Sequence, residues 1–173
     1  MTQTSDIENN LNLFRDDMYA HYQNIYQEFK IDIQGTAPDI DIVSGNAAYL
    51  SLMQAFITQI DNTLPQVEKN AAVWESLFKE ESTEDIVQGF LVKISDILEN
   101  TAQNSDFRAQ ALYVSQNETP YVDEEAFFNA FDSVIEWIKN AISNAPAIIK
   151  EHKSGIDNKP RPTPPGTPPP SLH

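Results

Sequence analysis

Cysteine is missing from these 173 residues, and several kinds of chemistry go with it. Disulfides, thiolate metal sites and thiol nucleophiles are excluded, and a reducing compartment is the natural setting for such a chain. Glycine is scarce: Gly35, Gly45, Gly89, Gly155 and Gly166 stand too far apart to form a phosphate-cradling loop. Histidine is limited to His21, His152 and His173, and neither His-Glu-x-x-His nor Glu-x-x-His occurs, which disfavours zincin and ferritin-like carboxylate sites. Cations are few, 11 Lys/Arg against 26 Asp/Glu, so the clustered positive charge that neutralises phosphates is lacking and no nucleic-acid binding is expected. Long apolar runs are absent too. Residues 49–60 are interrupted by Ser51, Gln54, Thr58 and Gln59, and the first ten residues show no basic and apolar signal-peptide pattern. The expectation is a cytoplasmic chain without a membrane span.

What is present is enough for a core: 40% hydrophobic residues, including 9 Phe, 6 Tyr and 2 Trp. Charge and proline are divided unevenly. Residues 1–149 hold 7 Lys/Arg against 24 Asp/Glu, whereas residues 150–173 hold 4 against 2 and carry 7 of the 11 prolines. The division predicts an acidic helical domain over residues 1–155 and a disordered, proline-rich tail over 156–173, sampling extended polyproline II.

Apolar periodicity predicts an all-α, five- to six-helix bundle. Ile7, Leu11, Phe14, Met18, Tyr22, Ile25 and Phe29 recur every three or four residues and mark a helix over 6–30, with Ser5 and Glu8 as a capping box. Residues 31–45 alternate around Gly35–Pro38 and read as an ordered Ile-rich loop or miniature hairpin. A second helix follows over 46–62, with Tyr49, Leu52, Met53, Phe56 and Ile60 inward. Pro65 is expected to open a third helix carrying Val67, Trp74, Leu77 and Phe78, the alternative being one kinked helix. Ser82 with Asp85 caps a fourth, with Ile86, Phe90, Ile94, Ile97 and Leu98 inward, to about residue 100. A short helix over 106–115 uses Phe107, Ala111 and Val114. Asp123 caps the last segment, which runs from Phe127 to Ile149, and Pro146 is expected to kink or break it.

Chemistry-bearing residues are sparse. His21 stands four residues after Asp17, so both share a helical turn and could form a pair or half a metal site; a satisfied, partly buried histidine is the commoner meaning of that spacing. A helical active site would be built on His21, Asp17 and a tyrosine such as Tyr22 or Tyr49. Asp39 and Asp41 begin like a calcium loop, but the central glycine and closing acid are missing, and Leu50 occupies the last place. The carboxylates Glu80, Glu81, Glu84 and Asp85, and Asp123, Glu124 and Glu125, fall at helix starts, where they favour the macrodipole. In the tail, Lys159, Pro162 and Pro165 match Lys-x-x-Pro-x-x-Pro, the basic and proline pattern read by SH3-like grooves, and a spacer or assembly arm has the same composition.

Ala37-Pro38, Gly45-Asn46, Tyr49 and Gln54-Ala55 occur in an order that resembles, without its spacing, the short stretch recurring in R-body structural proteins, which assemble into coiled ribbons. The extra residues between Pro38 and Gly45, the position of Tyr49 and the acidic C-terminal half depart from it, so no family assignment follows.

Together these features point to a non-enzymatic protein-interaction module, acting as adaptor, chaperone or inhibitor of a basic partner. Its candidate contacts are Lys159, Pro162 and Pro165 in the tail and Glu80, Glu81, Glu84 and Asp85 on the body. No cofactor or metal is expected. The alternatives are a self-assembling structural subunit, forming homo-oligomers with the tail as an arm, and a small helical enzyme or ligand-binding bundle centred on His21.

Overall fold

A computed structural model describes residues 3–36, 38–78 and 81–154. Among them the chain is all-helical: α1 (Gln3–Ile33), α2 (Ile40–Lys69), α3 (Ala71–Phe78), α4 (Thr83–Ala102), α5 (Ser105–Glu118), α6 (Glu124–Ser143) and α7 (Ala145–Ser154). The count is seven rather than five or six, because the last segment is two helices. Asn144 caps the end of α6, and Pro146 sits in the first turn of α7, where its missing N–H would have had no helical partner anyway.

Three other expectations are corrected. Residues 31–45 are not an Ile-rich loop or hairpin: α1 continues to Ile33, and α2 starts at Ile40. The Asp39 side chain caps α2, accepting from the N–H groups of Asp41 and Ile42 at 3.0 and 3.2 Å, so the supposed calcium-like pair is a helix start. Pro65 does not begin a helix but lies inside α2, which runs on to a cap at Asn70. One lost hydrogen bond is tolerated because the helix is held by its neighbours, with Ile60 and Val67 buried on either side of the proline. The first helix also starts before Ser5, which leaves Ser5 and Glu8 within it. Ser82 and Asp123 do cap α4 and α6, and Asn104, not singled out from the sequence, caps α5.

Helix α2 is the hub, packed against α1, α3, α4, α5 and α6. Its residues 43–50 are buried without a break, so this stretch is enclosed on all sides. By length and composition α2 is also the one described helix able to cross a membrane, yet 61% of its apolar window is buried inside the bundle. The core runs from Ile7, Leu11, Phe14 and Met18 through Phe56 and Ile60 to Phe127, Phe131, Ile138 and Ile149. A hydrogen bond from the Asp123 N–H to Ser44 Oγ, 2.8 Å, fastens the entry of α6 to the buried start of α2. Some residues predicted inward are not. Leu77, Ile97 and Val114 are exposed, and Tyr22 is only partly buried.

Candidate functional site

Of the acidic residues singled out in the sequence, Glu84 and Asp85 fall in the first turn of α4 and Glu124 and Glu125 in that of α6. Glu84 and Asp85 are exposed in the first turn of α4, where the Asp85 N–H donates to Ser82 Oγ at 3.1 Å. The Glu81 N–H donates to the Phe78 carbonyl in the preceding turn. Glu80, and Lys159, Pro162 and Pro165 in the tail, lie outside the described residues.

The histidine site assembles further than its spacing implied. Asp17 is 1% exposed and its Oδ1 is hydrogen-bonded to His152 Nε2 at 3.0 Å, while His21 Nε2 lies 3.8 Å from its other oxygen. The second histidine is therefore His152, 135 residues away, rather than a bystander at a helix end. Trp137 closes the cluster, its ring edge-on to both His21 and Tyr49 at 5.4 and 5.3 Å. Burial, with the Asp17 charge adding to it, pushes the Tyr49 hydroxyl far above its ordinary range, and that hydroxyl has no hydrogen-bond partner among the described residues. Tyr22 is not part of the cluster. Tyr49 and Asp17 are buried while His21 and His152 are partly exposed, and the His152–Asp17 contact ties α7 to α1. Among the described residues no group of three or more His, Cys, Asp or Glu is placed to hold a metal ion.

A different arrangement lies on the other flank of α1. Tyr19, Tyr22 and Tyr26, at steps of three and four, present stacked rings 6.0 and 6.2 Å apart with interplanar angles of 8° and 13°. Cations close both ends: the Arg15 guanidinium sits 5.1 Å from the Tyr19 ring and Lys30 Nζ 5.2 Å from the Tyr26 ring. Arg15 is held in place by Asp61 of α2 at 3.0 and 3.3 Å. Burial raises the Tyr22 hydroxyl, with Tyr26, Tyr19 and Glu118 adding to it, so the phenol stays a hydrogen-bond donor through neutral pH.

Two cavities flank this ladder and share Tyr22 and Gln54. One, about 270 Å³, runs between Arg15, Tyr19, Thr58 and Asp61. The other, about 100 Å³, runs between Tyr26, Leu50, Val114 and Glu118. The result is a shallow groove with aromatic faces, amide and hydroxyl groups, and a carboxylate in each wall. Spacing alone could have revealed the ladder, since residues 19, 22 and 26 share a helical face. The apolar reading of α1 hid it by assigning Tyr22 to the core.

A third feature is an apolar groove of about 390 Å³ between α3 and α4, lined by Trp74, Phe78, Ile86, Phe90 and Val92 with Lys93 and Asp96 at its edge. Trp74 stacks on Phe78 at 5.3 Å and meets Phe90 edge-on at 4.7 Å.

Compared with protein families, curated proteins and solved structures, the chain matches none of them.

Proposed function

We propose that the chain is a protein-interaction module that binds an extended, basic, proline-containing segment on the tyrosine ladder of α1. The observation that carries this reading is the ladder itself: three parallel phenol rings left accessible beside carboxylates on an otherwise well-packed bundle. Polyproline II makes no internal hydrogen bonds, so its carbonyls need donors, and its flat proline rings pack on aromatic faces. Phenol hydroxyls and the Gln54 amide supply the donors, and the rings supply the faces. Glu118 favours lysine or arginine in the ligand, as does the net charge of −15, while Asp61 is already paired with Arg15.

Titration of the full chain with a fluorescent dodecapeptide of repeated Arg-Pro-Pro tests the reading. Binding is expected to weaken at least tenfold on Tyr19→Ala and to fall steeply with salt, while a Glu-Pro-Pro peptide stays unbound. Equal binding of both peptides, or indifference to Tyr19→Ala, would sink it.

A second reading, self-association, is favoured by the exposed Val73, Leu77, Val92 and Ile97 on α3 and α4 around the apolar groove. Light scattering at rising concentration tests it: a dimer that Leu77→Glu disperses is the expected result, and a strict monomer at high concentration removes the reading.

A further inference from the structure

Resting on the ladder reading, we infer that the first occupant of the tyrosine ladder is the chain's own C-terminal segment, residues 155–173, folded back in cis over α1. Three observations carry this. The segment has the required chemistry: Lys159, Pro162, Pro165 and Pro168 stand at steps of three, so in a helix of three residues per turn they line one edge. Pro162 and Pro165 are then one turn apart, about 9.3 Å. The ladder from Tyr19 to Tyr26 covers seven residues of α1, about 10.5 Å along its axis. Consecutive prolines of that edge therefore span the three rings.

The segment also starts in the right place. It leaves the end of α7, where His152 is bonded to Asp17, and Asp17 is two residues from Tyr19 on the same helix. Residue 17 and the ladder lie on the two flanks of α1, so the path is half the girth of a helix roughly 10–12 Å across, under about 20 Å. Nineteen residues of polyproline II span roughly 59 Å, which leaves ample length.

Charge completes the fit. Residues 155–173 carry Lys159 and Arg161 against Asp157, whereas residues 3–154 hold 25 of the 26 Asp/Glu. Glu118 in the groove wall is the carboxylate that Lys159 or Arg161 would meet, since Asp61 is paired with Arg15. A tether of this length holds the segment near millimolar local concentration, so it excludes weak external ligands and yields to stronger ones. The module would thus be self-masked.

The absence of native cysteine makes the test direct. A spin label on Thr167→Cys in the full chain, with labelled protein diluted into an excess of unlabelled, NMR-silent chains, reports only contacts within one molecule. The expected result is strong broadening of the Tyr19, Tyr22 and Tyr26 ring signals, little effect on the exposed Tyr113, and recovery when Pro162, Pro165 and Pro168 are changed together to Ala. The same proline variant should bind the free Arg-Pro-Pro peptide about tenfold more tightly, as expected if the tail's local concentration is about ten times its own Kd. No broadening, with the free peptide still shifting the tyrosines, would overturn the inference and leave the ladder reading intact. If neither the label nor the peptide touches the tyrosines, both fall. Broadening spread equally over Tyr113, or appearing only between differently labelled chains, overturns the cis arrangement.

Discussion

Helix α1 carries two clusters of polar and aromatic groups on the two flanks of one apolar stripe, and they differ in everything except their helix. Asp17, His21 and His152 bring together the residue types that catalysis uses, with Tyr49 and Trp137 beside them, but the carboxylate and the phenol are sealed. Tyr19, Tyr22 and Tyr26 carry no catalytic chemistry, yet they line open cavities. Convergent reactive groups are only half of a site, and access is the other half. The Asp17 cluster joins the first and last described helices, and the ladder is, on the function proposed above, where another molecule lands.

The sharpest way to break this contrast is Asp17→Ala. Removing the carboxylate strips His152 of its partner and leaves a small void in a closed interface, and a stability loss of about 3 kcal/mol is expected in urea unfolding. A loss below about 1 kcal/mol would mean the cluster fastens nothing. His152→Ala should cost less, about 2 kcal/mol, with amide exchange accelerating first in α7. Uniform acceleration across the bundle would contradict a local fastening.

On the other flank, Tyr19→Ala removes a ring that is 40% exposed and should cost under about 1 kcal/mol of stability while weakening peptide binding tenfold or more. That separation of stability from binding is what distinguishes the two flanks, and a large loss of stability would erase it. Glu28→Gln is the mildest test. Burial, with the charge of Asp32 adding, raises the Glu28 carboxyl above its ordinary value of 4.5, and one of its oxygens is buried without a hydrogen-bond partner among the described residues. The folded state then holds that proton more tightly than the unfolded one, so the ionised group destabilises increasingly as pH rises through its folded value. Glutamine should gain up to about 0.5 kcal/mol at pH 7 and nothing near pH 4, read as thermal midpoints at the two pH values.

Much of the fold was legible because burial repeats with the helical period. Phe127 to Ile142, Tyr49 to Ile60 and most of the α1 stripe point inward as their spacing requires. The exceptions have physical causes. Pro65 misled because a proline's local cost was weighed without the packing that surrounds α2, and residues 31–45 misled because an alternating Ile pattern over a few residues suits a helix end and a helix start equally well. Half of the Asp17 cluster was visible in the spacing to His21. The other half was not, since nothing local links residue 17 to residue 152. The ladder was present in the tyrosine spacing and was passed over because aromatic residues at that period usually face a core.

The proline inside α2 has one more effect. It has no N–H to give to the carbonyl four residues earlier, and that carbonyl belongs to Asp61, whose side chain grips Arg15 at the foot of the ladder. At this one point the hub helix therefore has a main-chain carbonyl that Pro65 cannot serve, on the same residue whose carboxylate holds Arg15. A break in the helical hydrogen-bond ladder thus coincides with the ion pair that joins α2 to α1, so the one turn of the hub helix that lacks its own bond is the turn tied to its neighbour.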